Sequence, residues 1–307
     1  PHAANHLWIG KRPMPTATFQ NGYVLRGTLG MALGAALLLG CAGTAATTEP
    51  TSTDAKAPAG DSCKDPKDCL NQGARALIAK DYAKAVKFLP TACEVEPKAC
   101  FNAAEIYRKG DGGVPVDMPK AADFYKRSCE GKLMVACAIE SQMRYSGEGG
   151  VAVDKARART LFEMTCGPEY LDHCTNAGIM YSAGDGGPAD KTKARALFDQ
   201  ACASNELTAC VNGGAMYLNG EGGPADKAKA RGQFEKACDA NNANGCINLG
   251  LVYGKGIDVP IDLEKSISLL EKACKAGAPK GCEIATQIKT DLEKQKAEQA
   301  AKKGKKK

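Results

Sequence analysis

Cysteines are the residues of this sequence whose type and spacing could do chemistry, and there are 15 of them in 307 residues. After Cys41 they form seven consecutive pairs: Cys63 and Cys69, Cys93 and Cys100, Cys129 and Cys137, Cys166 and Cys174, Cys202 and Cys210, Cys238 and Cys246, and Cys274 and Cys282. Such pairs could hold a metal ion or form disulfides. Zinc sites usually place cysteines roughly two to four residues apart, but no Cys-x-x-Cys occurs here and His173 is the only histidine after Cys41. We therefore predict a disulfide within each pair, with metal binding as the less favoured alternative and no cofactor.

The same cysteines mark a repeat. From Cys93 onward, every second cysteine recurs after 36 or 37 residues, a period typical of stacked helical arrays. In the unit that begins at Cys246, apolar residues share one helical face, Gly256 is suited to ending that helix, and Asp262 is suited to capping the next one. The equivalent glycines are Gly110, Gly147, Gly184 and Gly220, and the equivalent caps are Asp117, Asp154, Asp190 and Asp226. We predict an all-α fold, an α/α solenoid of helix–turn–helix units in which disulfides join neighbouring units.

The N-terminal segment predicts the compartment. Residues 27–40, GTLGMALGAALLLG, form an apolar run of suitable length for a signal-peptide core. The run ends in LLGC, which resembles a bacterial lipobox in which Cys41 is lipidated; the alternative is an ordinary signal peptide cut after Ala45. Because Ala42 rather than aspartate follows the cysteine, we expect an exported outer-membrane lipoprotein facing the periplasm or the cell surface.

Four segments are predicted along the chain. Residues 1–40 are an N-terminal extension and signal peptide, 41–60 the lipidated cysteine and a flexible linker, 61–288 a solenoid of about six helical pairs, and 289–307 the end of a capping helix with a lysine-rich tail. The net charge of +6 arises at the two ends, since the segment from Lys289 carries eight lysines against three acids. The body is nearly neutral, which argues against a nucleic-acid partner.

The segment CVNGGAMYLNGEGGPADKAKARGQFEKAC, from Cys210 to Cys238, resembles the Sel-one-like repeat, a relative of the tetratricopeptide repeat. The motif of tyrosine, Gly-x-Gly, aspartate and Lys-Ala occurs at Tyr217, Gly220, Gly222, Asp226, Lys229 and Ala230, and again at Tyr181, Gly184, Gly186, Asp190, Lys193 and Ala194. The resemblance covers about residues 69–285 and points to a cysteine-rich, disulfide-stapled bacterial subfamily. Two units depart from the motif, because Arg144 replaces the tyrosine in one and Asp258 replaces the second glycine in another.

A recurring asparagine is the candidate binding residue. It lies two positions after the cysteine that opens a first helix, and between Cys69 and Cys246 only Ile139 breaks the series. The members are Asn71, Asn102, Asn176, Asn212 and Asn248. An asparagine amide could bind the backbone or a carboxylate of an extended peptide, and the resemblance to tetratricopeptide domains implies that the first helices line a groove. The alternative is that these asparagines cap helices or bridge neighbouring repeats.

The residues do not point to a catalytic site. Neither Gly-x-Ser-x-Gly, His-Glu-x-x-His nor Ser-x-x-Lys occurs. We predict a non-catalytic scaffold or adaptor that binds an envelope protein or peptide through a concave solenoid face. One alternative, implied only by the resemblance, is a β-lactam-binding protein or weak β-lactamase; another is a structural envelope spacer. The lysine tail adds possible contact with anionic lipid, peptidoglycan or acidic partners.

Overall fold

A computed structural model describes residues 62–304, with side chains as far as residue 298. Within this range the chain forms thirteen α-helices and no β-strand. The helices are α1 (Pro66–Ile78), α2 (Tyr82–Ala92), α3 (Pro97–Lys109), α4 (Met118–Glu130), α5 (Met134–Ser146), α6 (Lys155–Thr165), α7 (Leu171–Ala183), α8 (Lys191–Ala203), α9 (Leu207–Asn219), α10 (Lys227–Asp239), α11 (Ala243–Lys255), α12 (Leu263–Lys275) and α13 (Pro279–Gly304). The predicted signal peptide, the lipidation site Cys41 and the linker lie outside the described residues.

The helices begin and end at the residues that the repeat predicts. Each of the five predicted aspartates accepts a hydrogen bond from a backbone N–H three residues further on, as an N-cap does. Each of the five predicted glycines has a positive φ, between 66° and 77°, and ends a first helix in the left-handed conformation. The predicted all-α fold of repeated helix pairs is confirmed.

The described chain divides into two compact units, residues 62–161 and 162–304. In the first unit, consecutive helices from α1 to α5 pack against one another. Small residues alternate with a few large ones in its core, where Phe88, Leu89 and Tyr125 are almost completely buried. A helix pair of this size buries little apolar surface alone, so its stability depends on the neighbouring pair.

In the second unit, consecutive helices from α7 to α13 pack in the same way. Glycine near the middle of α7, α9 and α11 permits the close approach of the following second helix. A Cβ atom on Gly214 would lie 2.6 Å from the Phe234 ring, and one on Gly178 would lie 2.7 Å from the Phe198 ring. Both rings are buried against the glycine backbone, which makes the small residue a packing requirement.

Seven disulfides join the cysteine pairs predicted from the sequence, with Cα–Cα distances of 4.4 to 5.0 Å. All but Cys63–Cys69 connect the end of a second helix to the first turn of the next first helix. In the chain-entropy account, closing so short a loop contributes roughly 2–3 kcal/mol per disulfide. No helix between residues 62 and 304 is long and apolar enough to cross a membrane.

Candidate functional site

The asparagines proposed as a peptide-binding series differ in exposure. Asn71 is exposed and Asn102 and Asn176 are half-buried. Asn212 is 9% exposed and Asn248 is completely buried. Binding of a peptide at these positions stays a prediction, and in the described conformation only the first three offer their amides to a ligand.

None of the five asparagines caps a helix, so the capping part of the alternative is wrong, and a role in bridging neighbouring repeats stays a prediction. The residues at the N-cap positions of the helices that contain them are Asp65, Glu96, Tyr170, Glu206 and Asn242. Among the residues that the structure describes, no group forms a hydrogen bond with either polar atom of the buried Asn248 amide. An unpaired buried amide destabilises the fold by an amount on the order of 1–3 kcal/mol, and sequence spacing could not distinguish it from its exposed counterparts.

A tyrosine, a lysine and an acid connect successive helices in the second unit. The Tyr217 hydroxyl donates to Asp199 on α8 and accepts from Lys229 on α10. The Lys229 Nζ lies 2.9 Å from Asp199 and 4.2 Å from the centre of the Tyr217 ring. The hydrogen bond to the tyrosine, reinforced by the aspartate, raises the pKa of Lys229 despite partial burial. The motif lysine is therefore held in a contact between repeats.

The preceding repeat has the same arrangement. The Tyr181 hydroxyl donates to Glu163 at 2.5 Å, and Lys193 lies 2.6 Å from the same carboxylate. The hydrogen bond from Lys193 to Glu163, together with the tyrosine contact, raises the pKa of this lysine. Each aromatic residue of the motif thus packs beneath a cation, which favours a structural role for the tyrosine series.

An arginine-based cluster occurs in the repeat in which Arg144 replaces the motif tyrosine. Glu140 on α5 is completely buried and receives two hydrogen bonds from Arg157, at 2.5 and 2.8 Å. The Nε atom of Arg144 lies 3.6 Å from the same carboxylate. The hydrogen bonds to Glu140 outweigh partial burial and raise the pKa of Arg157. The sequence analysis identified Arg144 as a departure from the motif but missed Glu140. The available signal was that most other repeats have alanine, glycine or leucine at the position of Glu140.

A second acidic residue of the first unit, Glu105, is half-buried. Burial opposes ionisation of Glu105, but hydrogen bonds from Arg108, Lys109 and Tyr125 favour the carboxylate and lower its pKa to about 2. The Arg108 and Lys109 nitrogens lie 2.9 and 2.7 Å from the carboxylate oxygen. The cluster joins α3 to α4, and within it Glu105 is ionised at neutral pH and paired with two cations.

His173 belongs to the core of the second unit. It is 7% exposed, and its Nδ1 lies 2.6 Å from the Thr165 hydroxyl, which is itself buried. Its ring packs against Phe162 and Tyr170. Burial lowers the pKa of His173, opposed by the nearby Asp172 carboxylate. The hydroxyl–imidazole pair is therefore out of reach of a substrate in this conformation, and it contributes packing and a hydrogen bond.

Two surface clefts lie at equivalent positions of successive repeats in the second unit. One, of about 540 Å³, is lined by polar groups that include Arg195, Tyr217, Asp226 and Asp258. The other, of about 630 Å³, has a mostly apolar lining. Among the described residues, no group of three or more histidine, cysteine, aspartate or glutamate side chains could hold a metal ion.

The family model described as Sel1 repeat matches five consecutive segments, which together make up more than half of the chain. They are residues 97–133, 134–166, 174–206, 208–242 and 243–277. Their boundaries agree with helix pairs from α3 to α12. No curated protein matches the chain.

Two solved structures are similar to this chain. A protective antigen present in uropathogenic Escherichia coli strains, which displays an SLR fold, is 21% identical with a TM-score of 0.56. That match covers 70% of this chain and 47% of the antigen, so this chain spans about half of the antigen's length. A Sel1 repeat protein from Oxalobacter formigenes is 25% identical over 73% of this chain and 66% of its own, with a TM-score of 0.49. The similarity to the antigen shows the fold alone.

Proposed function

This chain belongs to the Sel1 repeat family, and from that premise we propose that it is a non-catalytic scaffold that binds a protein or peptide outside the cytoplasm. Sel1 repeat proteins are generally scaffolds for protein–protein interaction. The observation that carries the proposal is the run of five consecutive repeats, matched by helix pairs with the same caps and turns. Stacked pairs present side chains from successive units at a regular spacing, which suits an extended ligand.

The proposed compartment is the bacterial envelope. Seven disulfides in one chain are typical of an oxidising compartment and indicate an exported protein. We further propose that Cys41 carries a lipid that anchors the protein to the outer membrane, on the basis of the LLGC sequence. Mass spectrometry of the N-terminal peptide from the native host tests the anchor, and an unmodified N-terminus at another residue would contradict it.

The proposed binding residues are the accessible asparagines of the first helices, taken in each unit by itself: Asn71 and Asn102 in the first unit and Asn176 in the second. These three residues are at least partly accessible, and an asparagine amide offers one donor group and one acceptor group to a peptide backbone. The buried Asn212 and Asn248 would instead support the fold of the second unit. The ligand class that fits this chemistry is an extended peptide segment of an envelope protein.

In-cell crosslinking and capture of the tagged full chain in its host tests the proposal. The test variant is Asn71→Ala with Asn102→Ala and Asn176→Ala, and the matched control is Asn219→Ala, an exposed asparagine at the end of α9. We expect a discrete partner that is lost from the triple variant and kept by the control, with both variants melting near the wild-type temperature.

Three other outcomes would count against parts of this proposal. Capture of the same partner by both variants would exclude the asparagines as the binding residues but would be consistent with the scaffold function. Absence of any partner would favour a structural spacer and contradict the scaffold. Turnover of a chromogenic β-lactam by the purified, oxidised protein would contradict the non-catalytic assignment.

A further inference from the structure

The disulfide between α12 and α13, Cys274–Cys282, differs from the other six disulfides in its exposure to solvent. Both of its cysteines are partly exposed. In each of the other six disulfides that the structure describes, at least one cysteine is buried, and in four of them both are buried. We call Cys274–Cys282 the terminal disulfide.

Exposure of both residues matters for the chemistry of a disulfide. Thiol–disulfide exchange needs one accessible sulfur for attack and a second sulfur that leaves readily as a thiolate. Cys63 and Cys166 are also partly exposed, but their partners Cys69 and Cys174 are completely buried. A thiolate released into an apolar interior is poorly stabilised and leaves slowly. At the terminal disulfide, the leaving sulfur belongs to a residue that contacts solvent.

The two helix ends at the terminal disulfide determine which sulfur leaves. Cys274 lies in the last turn of α12, and Cys282 lies in the first turn of α13. The first turn of a helix stabilises a thiolate and the last turn destabilises it, because the helix dipole is positive at its N-terminal end. The exposed neighbours Lys275, Lys280 and Glu283 carry charges of both signs. We therefore expect attack at Cys274 and departure of Cys282.

The helix α13 depends on this disulfide more than an internal first helix would. Among its described side chains only Gly281 and Ala285 are buried, whereas α11 buries nine of its 13 residues. The ion pair between Lys289 and Glu271 has both side chains about half exposed, so it contributes little to stability. Opening of the terminal disulfide should therefore let α13 separate from α12 while the internal helices stay folded.

Separation of α13 would uncover the apolar face of α12. Leu270 and Ala273 are completely buried. A Cβ atom on Gly281 would lie 2.6 Å from the Leu270 carbonyl oxygen and 3.0 Å from the Ala273 Cβ, so α13 approaches α12 closely at these residues. The cleft between the turn at 259–261 and Leu292 would also be lost, because its two walls would no longer be held together.

We propose that the terminal disulfide is a site of thiol–disulfide exchange with a dithiol, such as the Cys-x-x-Cys pair of a thiol oxidoreductase, and that its reduction releases α13. A thiolate of the dithiol attacks the Cys274 Sγ, the S–S bond breaks, and Cys282 leaves as a thiolate. The second thiol then attacks the mixed disulfide and releases Cys274. Two electrons and two protons pass from the dithiol, which becomes a disulfide, to the two cysteines. This regulation goes beyond the proposed scaffold function and does not depend on it.

Limited reduction of the purified, oxidised full chain with dithiothreitol tests the selectivity. Samples quenched at successive times are alkylated, digested and analysed by mass spectrometry, which gives a reduction rate for each disulfide. The terminal disulfide should open about tenfold faster than any other. Cys238–Cys246, with the same separation of eight residues, is the matched internal control. Equal or faster opening of another disulfide, including Cys63–Cys69 or Cys166–Cys174, would overturn the proposal.

Two further measurements test the direction of attack and the release of α13. Reduced thioredoxin whose second active-site cysteine is replaced by serine should be trapped as a mixed disulfide at Cys274, and trapping at any other cysteine would contradict the assigned step. Hydrogen exchange of the selectively reduced chain should show protection in α13 falling about tenfold, with α9 and α11 unchanged. Equal protection of α13 before and after reduction would exclude its release.

Discussion

At Tyr217 in the second unit and Arg144 in the first, equivalent positions of the repeat carry different side chains. The Tyr217 contact joins a phenol, the partly exposed Lys229 and Asp199. The Arg144 contact joins two arginines to Glu140, which has no exposed surface. Both connect a first helix to the second helix that follows, yet one is half-solvated and the other surrounds a buried charge.

The difference shows how a repeat tolerates a lost motif residue. Where arginine replaces tyrosine, two further positions change with it, since glutamate replaces a small or apolar residue and Arg157 replaces the motif lysine. A buried carboxylate is tolerated only when it is paired and hydrogen-bonded. We therefore expect that removing any member of the arginine cluster lowers the free energy of unfolding strongly. Removing a member of the tyrosine cluster should lower it only slightly.

Removal of Arg157 should have the largest effect. In Arg157→Met the buried Glu140 keeps only Arg144, whose Nε lies 3.6 Å away, so the free energy of unfolding should fall by about 3–5 kcal/mol. Urea unfolding of the disulfide-intact protein measures it. The matched control is the triple change Arg144→Tyr, Glu140→Ala and Arg157→Lys, which restores the residue types of the other units and should recover most of the loss. A drop below about 1 kcal/mol in Arg157→Met would show that Glu140 is not a buried charge.

Acid should weaken the first unit through Glu105. Its pKa in the fold, about 2, lies below the ordinary value of 4.5, so its contribution is fully present above pH 4.5 and is lost as the pH falls towards 2. The contribution is on the order of 2 kcal/mol. Unfolding measured from pH 6 to pH 2 should show a steeper decline in wild type than in Glu105→Gln. Parallel curves for the two proteins would exclude a lowered pKa.

Loss of the Tyr217 hydroxyl should lower the free energy of unfolding by less than the loss of Arg157 does. Tyr217→Phe keeps the buried ring but removes the hydroxyl that donates to Asp199 and accepts from Lys229. A fall of about 1 kcal/mol in the free energy of unfolding is expected. Thermal melts of wild type and Tyr217→Phe measure it, with Tyr82→Phe, outside this cluster, as the control. A loss as large as that of Arg157→Met would erase the distinction between the two clusters.

The smallest effect is expected for the lysine of the tyrosine cluster. Lys229 is 44% exposed in its ion pair with Asp199, so Lys229→Met should lower the free energy of unfolding by about 0.5 kcal/mol. Raising the salt concentration to 1 M should reduce the difference between the two proteins. If the difference persists in salt, packing of the lysine on the ring matters more than its charge.

The parts that could be predicted from the sequence are those set by local chemistry. Asp226 caps a helix and Gly220 ends one because their backbone conformations depend on residues close in the chain. The Cys238–Cys246 bond likewise spans a short connection. The exposure of Asn248 could not be predicted in this way, because it depends on packing by neighbouring helices.

The mostly apolar cleft beside α13 was missed for a related reason. The sequence indicated that α13 would act as a capping helix with a lysine tail, but the cleft requires the turn at Val259–Ile261 and the α13 residue Leu292 to come together. These residues are about thirty positions apart, and no repeated spacing connects them. Glu140 was overlooked because a single glutamate in a helix is usually on the surface.

Site-specific photocrosslinking in the native host tests the central claim, a scaffold with a defined protein-binding surface. A photoreactive phenylalanine analogue would replace Asn102, Ile261 or, as a control on a partly exposed second-helix position, Lys126. The account predicts a discrete protein adduct from Asn102 or Ile261 and none from Lys126. No adduct from either test position, or equal adducts from Lys126, would contradict it.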